Sequence, residues 1–396
     1  MKRQLSFGFI LFALASLACQ VSLTPRPTPL PPPSATATIT LTPFPTQTKT
    51  PTVTPTPPLT ASGGPALLEL HMFSATRGWG LTENQILITR NGGASWAQVP
   101  LPNATVTPSI SAYFLSPEIA YFLAPIQGTV FGRLFATRDG GATWITTNTS
   151  FANAKLYFFD DNVGFAFQTL NVVDDQMSVA VYQTLDRGAK WLQVFANTAN
   201  QGDKNLPVAG LKTGISFIDS SQGFIGLRAQ ENSIGLYRTA DAGRTWTKQE
   251  LPLPDGIGAE YQSTVWPPVF LPGNTTDGFL SVDFIAGASG ASTRVFYMTH
   301  DAGVTWEKGG DVPDGGVYFF IDPQTGWVWG GNSLSTTSDG AKTWNQIPVA
   351  FNPGERASII DFADPQNGWM ATVDEKNVLR LYGSNDGGGT WTAIIP

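Results

Sequence analysis

The chain has 396 residues, with 23 basic and 30 acidic side chains, two histidines and one cysteine. Four of the basic residues (Lys2, Arg3, Arg26 and Lys49) precede residue 65, where no acidic residue stands, so the remainder holds 19 basic against 30 acidic residues, a net charge of −11. An acidic body of this kind opposes long-range attraction to DNA, RNA or an anionic membrane face, and no Gly-rich phosphate loop precedes a helix.

Lys2 and Arg3 open the chain, followed by an apolar run from Leu5 to Ala18 and then Cys19. The run is too short to span a bilayer comfortably and fits a secretory signal. Ser16-Leu17-Ala18-Cys19 resembles the processing site of bacterial lipoproteins, departing from it at Ser16, where Leu is usual. That resemblance implies a lipid on Cys19 and a chain anchored to a membrane outside the cytoplasm; an ordinary cleaved signal is the alternative. Residues 20–64 are mostly Thr and Pro, a composition that buries no core and predicts an extended, disordered tether. At about 3.1 Å per residue it would reach up to roughly 100 Å.

Residues 65–396 read as one domain built on a repeat. The pattern Thr/Ser-x-Asp-x-Gly-x-Thr-Trp recurs seven times, ending at Trp96, Trp144, Trp191, Trp246, Trp306, Trp344 and Trp391. An alternating apolar strand precedes each copy, as in Val295, Tyr297 and Thr299. The acid at the third position (Asn91, Asp139, Asp186, Asp241, Asp301, Asp339, Asp386) is expected to accept backbone N–H bonds from the turn that follows. The Gly two residues on permits a positive φ, and the Trp closes the hairpin as an apolar lid whose indole N–H needs a partner. Asn91 replaces Asp, Lys190 replaces Thr, and Ala341 replaces Gly, the last expected to be tolerated only at negative φ. Upstream of each copy an apolar strand turns into a Gly-aromatic step: Gly78-Trp79, Gly164-Phe165, Gly223-Phe224, Gly278-Phe279, Gly326-Trp327 and Gly368-Trp369, with Ala120-Tyr121 in the second repeat. Each repeat therefore reads as four antiparallel strands.

These features resemble the Asp-box repeat first described in bacterial neuraminidases. With the Gly-Trp strands they resemble the propeller of the photosystem II assembly and stability factor family, over residues 66–396. The resemblance implies an all-β fold, a seven-bladed β-propeller of four-stranded blades with an Asp box in each. The seventh blade would close on the first without a shared strand. The box is specific for fold and unspecific for function, since sialidases, xyloglucanases, sortilin-type receptors and assembly factors carry it.

Catalytic chemistry has little to draw on. His71 and His300 do not make a metal site, and no metal or cofactor is expected. The domain has no cysteine nucleophile, and a Ser–His–Asp triad would rest on His71. A sialidase-like hydrolase needs an arginine cluster and a Tyr–Glu pair; the arginines are scattered, the family's Arg-Ile-Pro segment is missing, and Glu260-Tyr261 is the nearest local pair. A glycosidase needs only two carboxylates, so that alternative stays open.

The Gly-aromatic turns and the boxes fall on one face of the disc and are nearly uniform. The opposite face carries links 192–214 and 247–268 and connectors 168–178, 228–234 and 282–292, which vary. Asp174, Asp175, Asp203, Lys204, Arg228, Glu231, Asp255, Glu260, Tyr261 and Trp266 are the candidate binding residues there. Trp266 is either an anchor for a protein or glycan ligand or a side chain packed on the seam between the fourth and fifth blades. Asp174-Asp175 reads as a solvated turn rather than a Ca²⁺ site. The sequence thus predicts a surface-anchored, monomeric scaffold that binds protein, with a hydrolase or lectin acting on extracellular polysaccharide as the alternative. The assembly-factor resemblance implies a membrane-protein client, though the basic patch tied to that family's binding has no counterpart in this acidic chain.

Overall fold

A computed structural model describes residues 66–394, apart from 198–204, 230–231, 271–273, 288–289, 311, 313–315, 331–332, 350–355 and 375–377. The lipidation candidate Cys19, the tether 20–64, Asp203, Lys204 and Glu231 lie outside the described residues. The described chain is all β, without a helix. Five antiparallel four-stranded sheets cover residues 69–98, 111–149, 154–196, 317–347 and 356–394, each in sequential strand order. The first shows the pattern: Glu69–Met72, Gly78–Leu81, Ile86–Thr89 and Ala97–Gln98.

Residues 211–308 depart from the expected separate sheets and form one nine-stranded sheet. It contains two repeats, and Tyr261–Val265 joins them. That strand pairs Thr264 and Ser263 with Arg228 and Ala229 of the earlier repeat, and pairs along Gly278–Ala286 of its own. The long link before it lets the strand start beyond its own sheet.

The repeated turns are held by a fixed set of bonds. The first-position hydroxyl accepts the N–H of the fifth residue, at 2.8 Å in Thr89 and Thr137 and 2.9 Å in Thr299. The third-position oxygen accepts the N–H of the seventh, at 2.8 Å in Asp139, Asp241 and Asp386. Lys190 keeps this backbone bond to Asp186 at 2.8 Å, which explains why Thr is dispensable there. Ala341 corrects the sequence expectation: its φ is 61°, because its N–H is fixed on Thr337 Oγ1 at 3.0 Å and the turn overrides the residue's preference. The fourth position is left-handed as well, even as Arg187, Ala242 and Ala302 at φ 65°, 62° and 60°. Of the seven turn tryptophans, Trp191 and Trp391 donate their indole N–H to Gly188 and Gly388 oxygens, at 3.1 and 2.9 Å.

Adjacent sheets are fastened by aromatic stacking. At three seams the aromatic of the Gly-aromatic step lies flat on a phenylalanine ending the first strand of the next repeat: Tyr121 on Phe158 at 3.6 Å, Phe165 on Phe217 at 3.4 Å, Trp327 on Phe362 at 3.7 Å between centroids. The phenylalanine in turn covers its own sheet's glycine. A Cβ on Gly368 would stand 2.3 Å from the Phe362 ring, so the close approach requires glycine.

The last sheet meets the first without exchanging a strand. Trp369 Nε1 donates to Gly92 O at 2.9 Å, and Asp361 accepts the Met72 N–H at 2.5 Å. Asp361 is 2% exposed, and burial raises its carboxyl to about 7, against the opposing pull of the Met72 and Phe362 N–H groups.

The turn carboxylates shift the other way. Asp301 is drawn down to about 2, chiefly by the Thr305 N–H, and Asp339 to about 2, chiefly by the Thr343 hydroxyl. Their contribution to stability is present above the unfolded carboxylate range and is lost as pH falls toward about 2. Asp361 acts oppositely: the folded state holds its proton more tightly, so stability falls as pH rises from the unfolded value of 3.8 to about 7, by on the order of a few kcal/mol. Asp361→Asn is expected to flatten the fall in melting temperature over this window and to exceed the native chain above it; an unchanged pH profile in thermal unfolding would contradict the assignment.

Candidate functional site

Of the residues picked from the variable face, Asp174, Asp175, Arg228, Glu260, Tyr261 and Trp266 lie on strands and turns linked across the third to fifth repeats. Connector 168–178 is not a loop, as the sequence suggested, but strand: Gly164–Val173 and Gln176–Thr184 form a hairpin closed by Asp174-Asp175 alone. Asp174 takes φ 52°, the left-handed state of a two-residue turn, and both acids are exposed. The hairpin's third-strand edge is covered by 208–210: Gly210 N donates to Asp175 O at 2.7 Å and Met177 N to Val208 O at 2.9 Å. From there Leu211 pairs with Arg228, and Arg228 with Thr264. In connector 282–292 the strands likewise run to Ala286 and resume at Ser292, whereas in 228–234 only Arg228 and Ala229 are strand.

Tyr261 is fixed on both sides. Its N–H donates to Asn232 Oδ1 at 2.9 Å and its carbonyl accepts the Asn232 N–H at 2.8 Å. Its ring meets Phe284 edge-on at 5.7 Å, and burial followed by the charge of Glu250 raises the phenol. Glu260 is exposed, with its carbonyl accepting the Gly287 N–H at 2.9 Å. Asp255 is an exposed turn residue of the link before Tyr261.

Trp266 is 40% exposed, and its indole N–H donates to Asp283 Oδ2 at 3.0 Å. Asp283 is itself clamped by Arg294, at 2.6 Å from Nε and 3.1 Å from Nη2. Arg294 lies 5.2 Å over the Tyr318 ring and bonds the Gly316 carbonyl, while Tyr318 and Ser281 hydroxyls meet at 2.8 Å. Trp266 thus stands as a half-open indole oriented by its bond to Asp283 of the fifth repeat.

Sequence reasoning missed two features. Lys212 is 5% exposed, and its ammonium donates to the carbonyls of Val208, Ala209 and Gly210 at 2.8, 3.1 and 2.9 Å. A lysine in an otherwise apolar strand was the available signal. The second is the inner edge of the first sheet, where Glu69 and His71 are exposed yet desolvated, which raises the carboxyl and lowers the imidazole. His300 is an exposed turn residue on Asp277 at 2.8 Å. Among the described residues no group of three His, Cys, Asp or Glu side chains is placed to hold a metal ion.

Three comparisons bear on the fold. The structure of YCF48 bound to a D1 peptide is similar over 83% of this chain and 95% of that one, at 15% identity and a TM-score of 0.51. The GH74 enzyme of Niastella koreensis is similar over 84% of this chain and 66% of that one, at 14% identity and a TM-score of 0.51. A xyloglucanase of Hypocrea jecorina (strain QM6a) is 23% identical over 236 residues, 56% of this chain and 23% of that enzyme. The chain therefore spans less than a quarter of that relative's length, and no family model matches it. At these identities the structural likeness speaks to fold alone: the chain is a β-propeller.

Lys212 gives the prediction for this face. Lys212→Met would remove the ammonium shared by three carbonyls, of which Val208 O keeps the Met177 N–H, and is expected to lower stability by about 2 kcal/mol in urea unfolding. An unchanged midpoint would show that the ammonium does not hold the link.

Proposed function

We propose that the chain is a seven-bladed β-propeller with an Asp box in each blade, a non-catalytic scaffold that binds protein outside the cytoplasm. A lipid on Cys19 and the tether 20–64 hold it at a membrane, and the strand-reinforced face around Arg228, Tyr261 and Trp266 receives the partner. The observation that carries this reading is the lengthwise match to a propeller solved with a bound peptide, over 95% of that chain. The half-open indole of Trp266, oriented by Asp283, is the kind of aromatic anchor that protein interfaces use.

A glycoside hydrolase or glycan-binding propeller is the second reading. The sequence match to the Hypocrea xyloglucanase favours it, together with Glu69, a carboxyl that keeps accessible surface while the protein crowded around it raises its pKa, the direction a general acid requires.

The two readings separate in one set of measurements. The immobilised chain, as Cys19→Ser, is expected to capture a protein partner from the membrane fraction of its own cell, and Trp266→Ala to weaken that capture by about tenfold. Incubation with xyloglucan is expected to release no new reducing ends. Turnover abolished by Glu69→Gln would overturn the scaffold reading in favour of the hydrolase. For the anchor, Cys19→Ser is expected to move the chain from the membrane to the soluble fraction, and unchanged partitioning would refute lipidation.

A further inference from the structure

The hairpin of the third repeat projects a bare strand edge. Gly164–Val173 is paired with the first strand of its sheet, Ala154–Phe158, only as far as Gln168 opposite Ala154. The chain turns aside there: Asn153 takes φ 49°, and Gln168 Nε2 holds the Ala152 carbonyl at 3.0 Å. Residues 169–173, Thr-Leu-Asn-Val-Val, continue the strand without a neighbour on that side among the described residues, and all five are exposed.

No other described second strand leaves such an overhang. Gly278–Ala286 is covered to its end by Tyr261–Val265, and Gly368–Val373 by Arg356–Phe362. Gly223–Ala229 is paired on one side to Arg228 and on the other at Ala229. Ala120–Pro125 overhangs by Ala124 and Pro125 alone, and proline blunts that edge by lacking an N–H.

The side chains on the bare edge are those that favour pairing. Leu170, Val172 and Val173 are 43%, 49% and 56% exposed, with neither charge nor proline among the five residues. A register shift between Thr169 and Asn171 twists the ribbon, which is one way proteins guard an edge, but Asn171 to Val173 beyond it are regular. A two-stranded ribbon carrying exposed apolar residues gains little by itself, and unmade main-chain bonds at a strand edge are a template for another strand.

We propose that this edge pairs antiparallel with the same edge of a second copy of the chain. An antiparallel pair of identical strands is self-complementary about a two-fold axis. The incoming strand runs in line with Ala154–Phe158, so its Asp174 turn abuts the start of that strand. Lys155 stands there, exposed, its ammonium on the Thr213 carbonyl at 3.3 Å and without a carboxylate within ion-pair distance among the described residues. Two symmetric contacts, Asp174 of each copy with Lys155 of the other, supply opposite charge at both ends of the paired segment. The acidic tip also opposes the rival occupant, a lipid surface, because carboxylates would enter the membrane first.

Sedimentation velocity of the purified full chain tests this, as Cys19→Ser so that no acyl chain contributes. A concentration-dependent dimer is expected. Val172→Lys is expected to weaken it by at least about tenfold, and Asp174→Lys to weaken it, with Lys155→Asp added to Asp174→Lys restoring it. At concentrations too low for the dimer, Val172→Lys should keep the native melting temperature, since the position is exposed, and Asp174→Lys should lower it slightly because its φ of 52° favours Asp. A chain that sediments as a monomer throughout, a dimer indifferent to Val172→Lys, or binding to neutral lipid vesicles without dimerisation would overturn the proposal.

Discussion

The structure depends on one contact repeated around the ring: an aromatic ring from one sheet laid on a phenylalanine of the next, itself laid on a glycine. Each large aromatic buried this way removes on the order of 150–250 Å² from water, worth several kcal/mol per seam. The glycine sets how closely the phenylalanine lies on its own sheet, and so how closely the next sheet follows. Ring centroids lie from 3.4 to 5.7 Å apart across these seams, close enough to bring each sheet onto the next. The Asp-containing turns stiffen their own hairpins with local hydrogen bonds and add to some seams by accepting a neighbouring indole N–H, as Gly92 does from Trp369 and Gly387 from Trp327.

A frame this regular makes departures meaningful. The third and fifth repeats lengthen their second and third strands, and Lys212, Asn232 and the shared strand Tyr261–Val265 anchor the links across the third to fifth repeats. Backbone pairing therefore runs from the Asp175 carbonyl across to Tyr261, and a broad region of the variable face is held by strands rather than by loops. Such a surface is ordered before a partner arrives, which lowers the entropy lost on binding.

Much of the frame was legible in the sequence because it is written in glycines and tryptophans at fixed offsets. The stacking partner was equally available and was overlooked: Phe158, Phe217, Phe320 and Phe362 each stand six residues before their Gly, but an apolar residue ending a strand carries no mark of its own. The variable face was harder. Gln168 to Val173 mixes polar and apolar residues without clean alternation, because the ribbon is wet on both faces and the bulge breaks the period. Trp266 was visible as an aromatic outside the repeat, whereas its setting by Asp283 and Arg294 depends on residues two strands away. Ala341 shows the limit of local preference, since the hydrogen bonds of the turn overrule the residue that occupies it.

The seam between last and first sheets differs from the others, since Met72 takes the place of the stacked phenylalanine under Trp369. Residues 1–65 enter the fold immediately before the strand that ends at Met72. A pull along that N-terminal segment would therefore load this seam before any other, shearing the thioether contact and the bonds of Asp361 and Gly92 while the stacked seams stay slack. The ring thus has a mechanical beginning, at the seam that lacks a stacked phenylalanine.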